Sequence, residues 1–195
     1  MHCDLKPTCG IFLDLKKAFD TVNHKILQDK LNHYGIRGLA LDFFTSYLKK
    51  RQQFVFANGI QSDKMGITCG VPQGSTLGPV LFLLYINDLP LSSNFFVIFL
   101  LMTQHYLFLI PILTIWRKKT NIDINSVFNW LQKNKLTLNL SKTKTILFKN
   151  HNRTVTLNIN CNNVPLEQVN STKYPGTTID SNLTWKEQIA SVEKK

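Results

Sequence analysis

One carboxylate stands at the end of an apolar run close to the start of the chain. Residues 9–15 read Cys-Gly-Ile-Phe-Leu-Asp-Leu, so Asp14 lies where a buried strand would meet solvent. An acid in that place could hold a metal ion, whereas a lone Asp more often ends a strand or caps the next helix. The residues around Asp14 leave both interpretations open.

A second segment could bring backbone close to a ligand. Glycines and prolines surround a single glutamine, Gln73, in residues 70–79. Such a backbone can approach a ligand closely, and Ser75 or Thr76 could cap the helix that follows. By itself the segment predicts only a tight turn.

The elements that must position these residues alternate between strands and helices. Residues 9–15 predict a strand, and residues 18–33, 39–50 and 76–87 predict helices, the first of which ends at Gly35. Another helix is predicted from the spacing of Ile124, Val127, Phe128 and Leu131. Residues 53–68 predict two strands that turn at Asn58-Gly59, and short strands are predicted at 136–140, 145–148, 155–159 and 177–179. This order predicts an α+β fold in one domain.

The charge of the chain points to a polyanionic partner. The 195 residues are 44% hydrophobic and 18% charged, which is typical of a globular domain and excludes disorder as the main state. The 23 Lys and Arg residues exceed the 12 acids and give a formal net charge of +11. Residues 117–153 hold nine of these cations against one acid, Asp123. We therefore expect a nucleic acid as the first candidate partner and an anionic membrane surface as the second.

An uncharged apolar stretch offers a membrane alternative. Residues 95–116 have the length of a transmembrane helix, and Arg117 would begin a cytoplasmic flank. The stretch is interrupted by Thr103, Gln104, His105, Pro111 and Thr114. We expect no genuine membrane span, and a membrane anchor is kept as the lesser alternative.

The four cysteines predict no disulfide framework and no structural zinc. Cys3, Cys9, Cys69 and Cys161 form no Cys-x-x-Cys pair and have no His at a zinc-ligand spacing. The first residues lack the apolar run of a signal peptide. We expect reduced thiols and a cytoplasmic or nuclear location.

Four ordered segments resemble the reverse transcriptase domain that non-LTR (LINE-type) retrotransposons encode. Residues 12–24 are similar to motif A, 70–79 to motif B, 136–144 to motif D, and 174–180 to the primer-grip segment. The resemblance extends over about residues 8–190 and implies a polymerase palm, a mixed α/β fold with a central antiparallel sheet. It implies a partial palm over residues 1–170 and the start of the primer-grip and thumb region over 171–195. The fingers region is expected to be missing.

The resemblance also implies roles in chemistry for single residues. Asp14 would bind two Mg²⁺ ions, one activating the primer 3′-hydroxyl and the other neutralising the triphosphate. Phe19 would be the steric gate against a ribose 2′-hydroxyl. Either Lys142 or Lys144 would be a general acid near the pyrophosphate, or both would only attract phosphates.

The binding residues that the resemblance implies fall into two sets. Those for the nucleotide are Leu15, Phe19, Pro72, Gln73 and Gly74, and those for nucleic acid are Lys133, Lys135, Tyr174 and Gly176. The implied partners are an RNA template, a DNA primer and a dNTP. The oligomeric state stays open.

Motif C, which should carry an Ala-Asp-Asp box after Phe99, is absent. Residues 100–106 read Leu-Leu-Met-Thr-Gln-His-Tyr instead. Met is encoded only by ATG and every Thr codon begins with AC, so a reading two nucleotides later gives GAC, an Asp codon, across Met102-Thr103. The neighbouring residues are compatible with Ala-Asp-Asp-Thr-Thr-Leu in that frame. We infer that about residues 100–117 are an out-of-frame reading of motif C.

The missing acids change the expected function. Two Mg²⁺ ions and a triphosphate need several converging carboxylates, and Asp14 provides one. The resemblance gives Asp20 and Asp88 structural roles. We therefore expect an RNA-directed DNA polymerase domain by descent that is inactive in this copy, or alternatively a nucleic-acid-binding remnant without catalysis.

Overall fold

Helices and strands are interleaved along the chain. The computed structural model describes residues 8–95, 97–102, 105–109, 117–148, 156–174 and 177–193. Its α-helices are α1 (His24–His33), α2 (Leu39–Leu48), α3 (Leu77–Ile86), α4 (Arg117–Lys133) and α5 (Lys186–Glu193), with a 3-10 helix at Leu89–Ser92. The predicted α+β class is confirmed.

The strands are short. They are β1 (Thr8–Phe12), β2 (Leu15–Lys16), β3 (Gln52–Gln53), β4 (Phe56–Ala57), β5 (Ile60–Gln61), β6 (Met65–Gly66), β7 (Ile98–Met102), β8 (His105–Leu109), β9 (Thr137–Leu138), β10 (Lys144–Phe148), β11 (Asn160–Cys161), β12 (Val164–Pro165), β13 (Glu167–Gln168), β14 (Ser171–Tyr174) and β15 (Thr177–Asp180). Among the described residues, only β1, β10 and β13 form a sheet of more than two strands.

The chain divides into two units. The first comprises Met1–Lys16, Leu89–Gln132 and Thr137–Lys195, and the second comprises Lys17–Asp88 and Lys133–Leu136. Asp14 therefore belongs to the first unit, and the loop that contains Gln73 belongs to the second.

The first unit is organised around β1 and β10. These strands pair antiparallel, with Gly10 opposite Ile146, while β13 joins β10 in parallel. Phe12 and Ile146 are buried together, and Phe148, Val169 and Ile179 pack against them. Burial of these apolar side chains holds the end of β1 in place just before Asp14.

A hairpin occupies the position where motif C is expected. Strands β7 and β8 pair antiparallel, with Met102 opposite His105, and β8 lies beside β1. Residues 103 and 104 lie outside the described residues. Residues 95–116, the candidate membrane segment, thus contain two strands in their described part. No helix in the described part of the chain is long and apolar enough to span a bilayer.

The second unit is built on the packing of α1 against α2 and α3. The core contains Leu27 and Leu31 of α1 together with Phe82 of α3, all of them fully buried. At the same interface the Lys30 ammonium donates to the Asp88 carboxylate at 2.5 Å. Burial lowers the pKa of Lys30, and the bond to Asp88 opposes this shift.

Helix α1 begins later than predicted. The prediction started the helix at residue 18, but residues 17–21 form a turn and Asn23 caps α1 by accepting from the Ile26 amide at 3.1 Å. The carbonyls of Phe19 and Val22 accept hydrogen bonds from the amides of residues 71 and 70, so the loop supplies these carbonyls with partners outside a helix. Tertiary hydrogen bonding therefore overrides the local helical pattern.

The remaining predicted elements are mostly confirmed. Helices α2, α3 and α4 and the β4–β5 turn at Asn58-Gly59 form as expected, and both turn residues have positive φ. The strand predicted at 155–159 is wrong over the described residues 156–159, and β11 begins instead at Asn160. The Asn160 amide donates to the side-chain Oδ1 of Asn121 in α4 at 3.0 Å, a contact that sequence periodicity does not reveal.

Candidate nucleotide and nucleic-acid site

Asp14 is buried in the gap between β1 and β2. Pairing of Leu15 with Leu138 brings Asn139 beside Asp14. The Asn139 amide donates to the Asp14 carbonyl at 2.7 Å, and its side-chain Nδ2 donates to Asp14 Oδ2 at 2.8 Å. A neutral amide therefore orients this carboxylate without cancelling its charge.

Asn139 is a functional candidate that the sequence interpretation missed. Its Oδ1 accepts from the Ser141 hydroxyl at 2.8 Å, which sets the direction of the amide, and its carbonyl accepts from the Thr143 amide at 3.0 Å. A signal was available, because Asn, Ser and Thr close together in residues 139–143 are typical of turns closed by side-chain hydrogen bonds.

The two candidate lysines of motif D have different surroundings. Lys144 lies on β10 and forms an ion pair with Glu167. Lys142 is exposed on the turn after Asn139, and its amide donates to the Asn139 carbonyl at 3.2 Å. Within the described residues, no ion pair involves Lys142.

The donor set around Asp14 does not fit two Mg²⁺ ions. No cluster of three or more His, Cys, Asp or Glu side chains able to hold a metal occurs within the described residues. Residues 98–109 contain no acid, so the hairpin at the motif C position supplies no carboxylate. Mg²⁺ keeps its waters unless anionic oxygen ligands converge on it.

In the second unit, the turn at residues 17–21 and the residues that follow it up to His24 are bound tightly to the loop at residues 69–73. The Gly70 amide donates to the Val22 carbonyl at 2.7 Å, the Val71 amide donates to the Phe19 carbonyl at 2.8 Å, and His24 Nε2 lies 2.7 Å from the Gly70 carbonyl. These contacts join motif A to motif B through two backbone hydrogen bonds and the His24 side chain.

Gly70 is required by this close approach. Its φ is +90°, and a Cβ built there would lie 2.9 Å from the backbone oxygen of Asp20. A larger residue would have to move the turn or the loop.

The predicted nucleotide-binding residues of this unit lie on the joined segments. Gln73 is exposed, and its Nε2 donates to Asp20 Oδ1 at 2.7 Å. The Phe19 ring packs against Phe82 with a centroid separation of 5.2 Å. Asp20 therefore orients Gln73, a contact that no sequence pattern signals.

The other loop residues shape the start of α3. The Ser75 hydroxyl accepts from the Gly78 amide at 3.0 Å and donates to the Pro72 carbonyl at 2.7 Å. Ser75, rather than Thr76, therefore provides the predicted cap. Gly74 is exposed and has a φ of +75°, which suits the turn.

The remaining predicted site residues are spread over both units. Leu15 is buried in β2 of the first unit, and Lys133 and Lys135 are exposed in the second. Tyr174 pairs with Thr177 at the end of the β14–β15 hairpin, and Gly176 lies outside the described residues.

Comparison with known proteins agrees with the motifs. A family model described as reverse transcriptase (RNA-dependent DNA polymerase) matches residues 2–179. The chain is 28% identical to a probable RNA-directed DNA polymerase from transposon X-element of Drosophila melanogaster, over 98% of this chain and 22% of the relative. It is 25% identical to the RNA-directed DNA polymerase from mobile element jockey of the same species, over 95% of this chain and 21% of the relative.

A third relative is similar over a shorter region. The retrovirus-related Pol polyprotein from type-1 retrotransposable element R2 of Popillia japonica is 34% identical over 43% of this chain and 14% of its own length. The chain spans about a fifth of the length of the X-element and jockey proteins. Because the family match covers most of its residues, the chain belongs to the reverse transcriptase family, as a reverse transcriptase domain of the non-LTR retrotransposon type.

Proposed function

We propose that this chain is a partial polymerase palm that binds nucleic acid and has lost nucleotidyl transfer. The observation that carries the proposal is the surroundings of Asp14, whose Oδ2 is bound by a neutral amide. The neighbouring hairpin carries no acid in its sequence. One carboxylate is too little charge to strip two Mg²⁺ ions of their waters.

The binding half of the proposal rests on charge and on the joined motifs. The chain carries a net charge of +11, and Lys133, Lys135 and Lys142 are exposed cations. Phosphate contacts of this kind hold nucleic acid without reading its sequence. An RNA template and a DNA primer are the partners that the family implies, and a cytoplasmic or nuclear location would suit them.

We also assign roles within the nucleotide site. Phe19 would be the steric gate, because its ring is held against Phe82, and Gln73 would contact the nucleotide together with Pro72 and Gly74 of the same loop. Lys142 is our choice for the motif D lysine, because Lys144 is engaged by Glu167.

A binding titration tests the proposal. Fluorescence anisotropy with a labelled RNA–DNA heteroduplex should show affinity that falls steeply between about 50 mM and about 200 mM salt. The Asp14→Ala variant should bind equally well, since the proposed binding needs no metal at Asp14. Absence of binding at low salt, or binding that ignores salt, would refute it.

The frame hypothesis has its own test. Sequencing the transcript across codons 95–120 should reveal nucleotides that encode Ala-Asp-Asp in the shifted frame. A nucleotide sequence that cannot do so would exclude the hypothesis and leave the apolar hairpin as a genuine feature of the protein.

A further inference from the structure

Residues 51–67 form a two-stranded ribbon in the second unit. The Ile67 amide closes its base by donating to the Arg51 carbonyl at 2.9 Å, and β3 pairs with β6 and β4 with β5. Every residue from 52 to 66 is exposed, and neither strand pair joins a third strand within the described residues. A two-stranded hairpin is marginally stable in water, so we expect the ribbon to open locally while the rest of the unit stays folded.

The tip of the ribbon is an Asn-Gly turn. Ala57 lies opposite Ile60, so Asn58 and Gly59 lie outside the ladder, with φ values of 51° and 78° that suit a two-residue hairpin turn. A Cβ built on Gly59 would meet nothing within 4 Å, so no neighbouring group covers this side of the turn. Asn58 is the one asparagine of the sequence that a glycine follows.

This dipeptide can react with itself. A bond forms between the Gly59 nitrogen and Asn58 Cγ, the Cγ–Nδ2 bond breaks, and Nδ2 leaves as ammonia with the proton that the Gly59 nitrogen gives up. Water then opens the cyclic imide at either carbonyl, which leaves an aspartyl or an isoaspartyl residue at position 58. Glycine hinders this attack least because it has no Cβ. Base accelerates the reaction because the attacking nitrogen must lose its proton.

We propose that Asn58 is a site of spontaneous deamidation in the folded chain, and that opening of the ribbon controls its rate. Ring closure requires a backbone rotation at Asn58 that the closed turn does not allow. The exposed ribbon opens readily, so folding gives this asparagine little protection. Asn139 is the contrast, because its side-chain amide is held by Asp14 and Ser141 and a leucine follows it.

Deamidation should change the tip of the ribbon and leave its base intact. Both products replace a neutral amide by a carboxylate, and an isoaspartyl residue also lengthens the main chain by a methylene. A two-residue turn fixes the register of its strands, so the longer backbone should break the pairing of Ala57 with Ile60. The hydrogen bond from Ile67 to Arg51 lies at the other end of the ribbon and should remain.

Mass spectrometry of the tryptic peptide 52–64, in which Asn58 is the only asparagine, measures the reaction. The full chain is incubated in mildly alkaline buffer, and a synthetic peptide of the same residues is the unfolded reference. We expect the folded chain to lose the Asn58 amide at a rate within several-fold of the peptide's rate. Gly59→Ala should slow the loss many-fold, whereas the matched change Gly66→Ala, also in open space on the ribbon, should leave it unchanged.

Guanidinium chloride below the unfolding transition separates opening of the ribbon from unfolding of the chain. The rate should stay nearly constant, because local opening exposes little surface, and a rise in proportion to the unfolded fraction would overturn the local mechanism. An Asn58 amide that stays intact in the folded chain while the peptide loses its own would overturn the site. Equal rates for Gly59→Ala and the parent chain would overturn the Gly59 nitrogen as the nucleophile.

Hydrogen exchange tests the effect on the ribbon. In the isoaspartyl form, separated by chromatography, the amides of β5 should exchange faster than in the parent chain, and the Ile67 amide should exchange at the same rate. Unchanged exchange in β5 would contradict the expected loss of pairing at the tip.

Discussion

The surroundings of Asp14 and the joined turn and loop of the second unit both carry family motifs, but they depend on different atoms. The Asp14 region must gather several carboxylates, and the described chain offers one, held by the Asn139 side chain. The turn and loop are joined mainly by backbone amides and carbonyls at Gly70 and Val71. Backbone hydrogen bonds between the turn and the loop do not depend on the side chains that other segments carry. A metal site made of several carboxylates, in contrast, is lost when one segment no longer supplies its acids.

This difference ranks the substitutions that should matter in each region. A contact between backbone segments is disrupted when a side chain is added at a glycine that has no room for it. A contact made by side chains is disrupted when one hydrogen-bonding side chain is removed. We therefore expect the largest destabilisation where a side chain is added at a tightly packed glycine.

Gly70→Ala should give the largest loss of stability. The new Cβ would meet the Asp20 carbonyl at 2.9 Å in a backbone with φ +90°, so we expect a loss of roughly 3 kcal/mol in the free energy of unfolding. Gly59→Ala is the control, because its φ is +78° with nothing within 4 Å, and it should cost about 1 kcal/mol. Chemical denaturation measures both, and equal losses would contradict the close approach.

Asn139→Ala should give the second-largest loss in the free energy of unfolding. It leaves the buried Asp14 carboxylate without the Nδ2 donor, at a cost of about 2 kcal/mol. In the other region, Gln73→Ala removes one exposed hydrogen bond to Asp20 and should change stability by less than about 0.5 kcal/mol. Chemical denaturation compares the two variants, and if they unfold alike, Asn139 is not the residue that holds Asp14.

Alkaline pH should weaken the Asp14 region through Cys9 of β1. Burial raises the pKa of the Cys9 thiol from 9.0 to about 12, so above pH 9 the unfolded chain loses a proton that the folded chain keeps. The stability that the protonated Cys9 thiol contributes is complete below pH 9 and falls as the pH rises, by about 1.4 kcal/mol at pH 10. Cys9→Ala should reduce the loss of stability between pH 7 and pH 10 by about this amount and leave the loss due to the buried Cys161 thiol, whose pKa is raised to about 11. An unchanged profile would exclude Cys9 as a cause.

Charge removal should give the smallest effect, seen in binding rather than in folding. Replacing Lys133, Lys135 and Lys142 by Gln should lower the slope of log affinity against log salt for single-stranded RNA, by about 0.7 for each phosphate that is no longer neutralised. Lys144→Gln should change the slope of log affinity against log salt less, since Lys144 is paired with Glu167. Lys25→Gln, an exposed change on α1, is the control.

The sequence was sufficient for the family, the α+β class and most helices, because apolar spacing and turn residues act locally. It did not predict the start of α1, which depends on hydrogen bonds from Gly70 and Val71 to a turn nearly 50 residues away. It missed Asn139 and the pairing of Lys144 with Glu167 for the same reason: each depends on a neighbour brought by the fold. The central sheet of the palm and the domain boundaries stay predictions.

Primer extension tests the central claim, that the Asp14 region can no longer support polymerisation. The purified chain is supplied with an RNA template, a DNA primer, dNTPs and either Mg²⁺ or Mn²⁺, under conditions in which anisotropy shows the template–primer to be bound. We expect no extended primer, because one carboxylate cannot assemble two metal ions. Templated extension that disappears in Asp14→Ala would contradict the account.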